Sequence, residues 1–146
     1  MGEPSKTEIA AVRALAMLAR FAERSLGDLS LAHYRVLSGI AGGDERASRL
    51  AAKLALGKPA ISAAVDALTR AGLVSRAVVP GDHRAVALRL TPEGHAVLRR
   101  AERDLVAGLR RLAAATDSNA TEALAALGVP LEAEAAARGL DGEAAR

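Results

Sequence analysis

Between residues 46 and 90 the chain sets eight Lys and Arg side chains (46, 49, 53, 58, 70, 76, 84 and 89) against two aspartates (66 and 82), a local balance of +6. Cations at that density attract a polyanion, since each one that neutralises a phosphate also releases a condensed counterion. The remainder of the chain is charged differently. Residues 117–146 carry two arginines against six acids, residues 1–45 stand at −1 and residues 91–116 at +2, so the overall +3 conceals a segregation. A basic middle between neutral or acidic ends suits a segment that meets a polyanion while the ends meet something else.

Other chemistries find little support. There is no cysteine, which removes thiolate nucleophiles, disulfides and thiolate metal sites together. The histidines, at positions 33, 83 and 95, are too scattered to resemble a ligand cluster. No glycine-rich phosphate loop follows a strand, and no paired carboxylates share a plausible face. No catalytic residue, metal or cofactor is therefore expected, and the chain does not read as an enzyme.

At 146 residues the chain has the length of one ordinary domain. Its apolar fraction of 51% is carried mostly by Ala, Leu and Val, with Phe21 and Tyr34 as the only members of the Phe, Tyr and Trp set. Ala and Leu lead the helix propensities, so a mainly helical protein is expected. No signal-peptide pattern opens the chain and no apolar run approaches the ~20 residues that span a bilayer, so a soluble, cytoplasmic protein is expected.

The elements that must carry the cations follow from periodicity and punctuation. From residue 5 to about 25, Ile9, Val12, Leu15, Ala16, Ala19 and Ala22 recur at helical spacing, and Gly27 ends the run. Ser30 is suited to cap a second helix containing Leu31, Tyr34, Val36, Leu37 and Ile40, closed by Gly42 and Gly43. A short third helix is expected over about 46–54. Leu56-Gly57-Lys58-Pro59 then offers a glycine for a turn and a proline for the first turn of a fourth helix, which points Ile61, Val65 and Leu68 inward and stops at Gly72. Two short helices across a tight turn, the second opening with small and basic residues, outline a helix-turn-helix.

The period then changes. Residues 73–79 are β-rich, Pro80-Gly81-Asp82-His83 is turn chemistry, and Val86, Leu88 and Leu90 alternate with smaller or polar residues, which predicts a β-hairpin leaning on the helices. Thr91-Pro92-Glu93 starts a long helix whose Leu98, Ala101, Leu105, Leu109 and Leu112 form a seam at spacings of 3, 4, 4 and 3. A last alanine-rich segment is expected over about 119–138, interrupted at Gly128-Val129-Pro130, with fraying from Gly139.

This order resembles the MarR (multiple antibiotic resistance regulator) family of bacterial transcription factors over roughly residues 8–112. Leu29-Ser30-Leu31 with Tyr34-Arg35-Val36-Leu37 is similar to the family's second helix. Lys58-Pro59-Ala60-Ile61-Ser62 with Val65-Asp66-Ala67-Leu68 is similar to its recognition helix, and Gly72-Leu73-Val74 to the exit from it. Asp82-His83-Arg84 with Val86, Leu88, Leu90-Thr91 and Glu93-Gly94 resembles its wing and the helix that follows. One departure is Ala63-Ala64, where relatives often place an arginine or another polar residue after the recognition-helix serine. Base reading is expected to be thinner here for that reason.

The resemblance implies a mainly α fold. A winged helix-turn-helix would occupy 30–91, with its wing at about 73–90, between an N-terminal dimerisation helix (1–29) and C-terminal dimerisation helices (92–146). It further implies a homodimer on double-stranded DNA. Lys58, Pro59 and Ser62 would begin the helix that enters the major groove, and Arg70 would meet a phosphate, although Lys58 and Arg70 also fit as solvated helix charges. Ser48 and Arg49 are candidates for phosphate contact. Arg84 would reach a narrow minor groove and His83 the backbone, with Asp82 either orienting an arginine or serving as a turn residue.

The apolar seam, the first helix and the acidic last segment offer more apolar surface than one small domain buries, so pairing of two copies is expected unless the seam is intramolecular core. Two recognition helices would then address half-sites roughly 34 Å apart on a pseudo-palindrome. The family also responds to small, often aromatic or phenolic, anions. Met17, Arg20, His33 and Leu37 are the candidates for such a cleft, each with a structural reading beside it. A winged helix used for protein contacts without specific DNA binding is the alternative.

Overall fold

The computed structural model describes residues 2–43, 46–116 and 119–144, with the side chains of 83–85 and 139–144 outside the description. Helix α1 (Lys6–Leu26) is started by a capping box. The Ser5 hydroxyl accepts the Glu8 amide at 3.2 Å, and the Glu8 carboxylate accepts the Ser5 amide at 2.7 Å. These bonds, the hydroxyl's donation to the carboxylate foremost, hold the Glu8 carboxyl below its ordinary value. Helix α2 (Leu31–Ala41) begins where expected, its cap Ser30 accepting the His33 amide at 3.1 Å.

Helices α3 (Ala47–Leu54) and α4 (Lys58–Arg70) lie across the turn at 55–57. Strands β1 (Val74–Val79) and β2 (Asp82–Leu90) pair antiparallel, with Val74 opposite Leu90 and Val78 opposite Val86. One apolar cluster joins these elements to the start of helix α5 (Pro92–Ala114). Val36, Leu37 and Ile40 come from α2, Leu50 from α3, Ile61, Ala64, Val65 and Leu68 from α4, Val74 and Leu88 from the hairpin, and Leu98 from α5. Each large side chain buried there stabilises the fold by about 1.5–3 kcal/mol before chain entropy is counted.

Three local expectations are revised by the structure. The left-handed residue between α3 and α4 is Ala55, at φ 49°, whereas Gly57 sits at φ −62° and serves as the N-cap of α4. Left-handed backbone costs a non-glycine residue roughly 1–2 kcal/mol. Local bonding offsets it: the Ala55 amide donates to Ala51 and Ala52 carbonyls, Leu56 donates to Ala51, and the Arg35 guanidinium donates to the Leu54 carbonyl at 2.7 Å.

The second revision concerns the wing. Strand β2 starts at Asp82, four residues before the alternation that announced it, because Gly81 at φ 84° turns the chain within two residues. A register irregularity between Val78 and Val79 precedes that turn. Third, the last segment is two helices, α6 (Ala120–Ala126) and α7 (Gly128–Ala144). Pro130 falls in the first turn of α7, where its missing N–H costs nothing, and the helix continues past Gly139, where fraying was expected.

Helix α5 begins at a crowded joint. The Thr91 hydroxyl caps it by accepting the Gly94 amide at 3.0 Å and donates to the Gly72 carbonyl at 2.6 Å. The Leu73 carbonyl accepts the Thr91 amide at 3.1 Å, while the Leu73 amide donates to Leu68 at 2.9 Å. A Cβ on Gly94 would lie 2.0 Å from that carbonyl, so only glycine fits. Farther along, Phe21 of α1 rests in the notch at Gly108, where a Cβ would come within 2.4 Å of its ring. Helix α7 folds back alongside α3.

Candidate nucleic-acid interface

Helix α4 divides its residues cleanly between two faces. Ile61, Ala64, Val65 and Leu68 are buried, while Lys58, Ser62, Asp66 and Arg70, each four residues after the last, are exposed. Four-residue spacing keeps such residues within one slowly drifting stripe. The sequence departure at Ala63-Ala64 now separates: Ala63 is exposed and Ala64 is core. Lys58 and Pro59 form the first turn and no side chain caps that end; Pro59 has no N–H to offer, and the Ala60 and Ile61 amides donate to the Gly57 carbonyl.

The neighbouring helix α3 buries Leu50 and leaves Ser48 and Arg49 exposed near its own start. Arg35 of α2 ties down the end of α3, at the turn that leads into α4, through its bond to Leu54. Sequence reading included Arg35 in a motif without giving it this role, because the carbonyl it meets is nineteen residues away.

On the hairpin, Arg76 is opposite Leu88, and its guanidinium meets the Asp66 carboxylate of α4 at 2.5 Å. This pair links the hairpin to α4. Neither member stood out in the sequence, where Arg76 was one cation of eight. Asp82 opens β2 opposite Val79, and the side chains of His83 and Arg84 lie outside the described residues. On the same hairpin face as Arg76, one step nearer the tip, Val78 and Val86 form an exposed cross-strand pair.

The four residues suggested for a small ligand fall into different settings. Met17 is exposed and lines a shallow groove along α1 with Ile9 and Arg13, and Arg20 is exposed on the same helix. His33 is half-buried in the first turn of α2, and Leu37 has no exposed surface at all. Near them Tyr34, half-buried on α2, has its phenol pushed up by desolvation and then by the Glu102 carboxylate of α5. No three His, Asp or Glu side chains among the described residues gather as a metal site would require, and no described helix is long and apolar enough to cross a membrane.

A helical pair with an exposed, partly cationic second helix, followed by a two-stranded wing and a long helix, defines a winged helix-turn-helix protein. Comparison with known proteins agrees. Residues 27–85 match the model of the MarR family. The transcriptional repressor CouR, solved on a 23-mer DNA duplex, is 26% identical, with 89% of this chain and 99% of that one covered at a TM-score of 0.72. The regulator BldR from Sulfolobus solfataricus is 25% identical over 88% and 98% of the two chains, at 0.69. PcaV from Streptomyces coelicolor, solved with its natural ligand, is 20% identical over 87% and 94%, at 0.66. No curated protein matches. Over residues 27–85 the chain is similar to the MarR family, and its fold is that of solved MarR-type transcriptional regulators.

Proposed function

We propose that the protein binds duplex DNA as a homodimer in the cytoplasm, represses transcription from a pseudo-palindromic operator, and is released by a small, aromatic or phenolic ligand. The observation that carries this reading is the outward stripe of α4, whose Lys58, Ser62 and Arg70 lie within the segment of local balance +6. In this reading Lys58, Pro59 and Ser62 meet the major groove, and Arg70, Ser48 and Arg49 meet phosphates. His83 touches the backbone and Arg84 the minor groove, with Asp82 supporting the wing. CouR on its duplex supports the DNA partner, and PcaV with its ligand supports an effector.

Pairing is supported by what a single copy leaves uncovered. Ile9, Val12, Leu15 and Met17 of α1, Val106 and Leu112 of α5, and Leu127, Val129 and Leu131 of the last two helices are all exposed. These residues belong to the terminal stretches 1–29 and 92–146, although α7 itself packs against α3. An effector held by residues of α1 and α2, with Met17, Arg20, His33 and Leu37 as its proposed contacts, would act by favouring a dimer whose recognition helices no longer match the half-site spacing.

Fluorescence anisotropy on labelled random-sequence duplex across a salt series, with sedimentation velocity on the same sample, tests the core of this reading. A dimer whose affinity falls steeply with salt, and a Lys58→Ala variant with a shallower dependence, are expected. A stable monomer, or binding that ignores salt, overturns it.

A further inference from the structure

Adjacent grooves of a duplex are separated by a single sugar–phosphate strand. A protein with α4 in the major groove and its wing tip in the neighbouring minor groove must straddle that strand. The surface it straddles with is the cleft between α4 and the inner face of the hairpin, and this inference rests on the DNA-binding reading above. Three features occupy the cleft: Asp66, the Arg76 that meets it, and the exposed Val78 and Val86 pair beyond them.

An aspartate is out of place in such a cleft. Asp66 lies two helical steps from Lys58 and one from Ser62 on the outward stripe, and a bare carboxylate there would repel the strand. Its ion pair with Arg76 is also a poor source of stability, since the side chains are 51% and 45% exposed and pairs so solvated contribute little. What the pair does supply is direction. A guanidinium carries five N–H donors in a rigid planar fork, and one Arg76 nitrogen is engaged by Asp66. The fork is thereby held across the cleft with further donors to offer.

We propose that Arg76 is a phosphate-binding residue, aimed by Asp66 at the strand that separates the two grooves, and that Val78 and Val86 form the apolar wall against its deoxyribose. Asp66 is then a positioning residue, and the carboxylate serves binding through the cation it orients. Charge complementarity favours this occupant, because the cleft lies within the +6 segment. Contacts of this kind set register and strength without reading sequence.

The test is the salt dependence of binding to a short random-sequence duplex by wild type, Arg76→Gln, Asp66→Asn and Lys58→Ala proteins, each first checked for a native melting transition. Glutamine keeps most of the Arg76 stem, and Arg76→Lys serves as a second variant at the same position. Arg76→Gln is expected to weaken binding about tenfold and to lower the slope of log affinity against log salt by about one, as loss of one phosphate contact requires. Arg76→Lys keeps the slope and loses part of the affinity. Asp66→Asn is expected to bind more weakly than wild type even though it removes a negative charge.

An unchanged slope in Arg76→Gln, or tighter binding by Asp66→Asn, overturns the proposal. Those results in a wild type that binds with a steep salt dependence remove this assignment alone. A wild type that binds no duplex removes the DNA-binding reading and this one together.

Discussion

The winged region and the terminal helices solve the burial problem in opposite ways. In the first, Val36, Leu37, Leu50, Ile61, Val65, Leu68 and Leu88 are all but sealed from water within one chain. In the second, Val12 is 65%, Met17 73% and Val129 77% exposed, although these residues lie on long, well-formed helices. Helical periodicity is as clear in α1 as in α4. The difference teaches that periodicity reports only that a face wants cover, and the winged region finds its cover internally while α1 and the last helices do not.

Mutations on the two sides should therefore be felt in different measurements. Leu50→Ala removes a fully buried side chain, and chemical denaturation should show a loss of about 2–5 kcal/mol. Val129→Ser should leave the unfolding free energy of a dilute single chain within about 0.5 kcal/mol and weaken self-association in sedimentation equilibrium. Equal losses for both variants in the dilute chain would erase the distinction between the regions.

The joint between the regions offers the next largest effect. Gly94→Ala drives a methyl into the Leu73 carbonyl, and because backbone must move, about 1–3 kcal/mol should be lost in thermal unfolding. A silent substitution would show that the hairpin and α5 are looser neighbours than their contact implies. Within the winged region, Ala55→Gly relieves left-handed backbone and should raise stability by about 0–1 kcal/mol, the gain limited by the added freedom of the unfolded chain. A loss there would mean that the Ala55 methyl is itself needed by the turn.

The smallest effect is a pH dependence at the seam. Tyr34 is held neutral by desolvation first and by Glu102 second, so tyrosinate absorbance should titrate above the ordinary 10.0 in the folded protein and near it in denaturant. Stability from the neutral phenol is complete below that ordinary value and is lost as pH rises through the folded one. Glu102→Gln should move the folded midpoint back toward 10.0, and no movement would show that burial alone is responsible.

Much of this architecture was legible in the residues because glycine, proline and hydroxyl side chains mark boundaries by local chemistry. Ser30 and Thr91 cap the helices they announce, and Pro59 and Pro92 fall in first turns. What escaped depends on partners distant in sequence or on a residue type that carries no signal. Ala55 adopts a glycine-like backbone that nothing in an alanine advertises, and Gly57 beside it drew the attention. Arg35 and Arg76 acquire their roles only once α3 ends near one and α4 passes the other. The candidate site was legible as a charged stretch and as the start of α4, whereas the cleft between α4 and the wing exists only after folding.

The crowded joint at Leu73 has a mechanical consequence. Its amide is tied to the end of α4, its carbonyl to the cap of α5, and its own residue leads directly into β1, with Gly94 pressed against it. Three elements thus share one pivot with no slack between them. A tilt of α5 would pull on the end of α4 and the start of the hairpin through backbone bonds alone, so a disturbance among the distant helices would need no relay of side chains to be felt there.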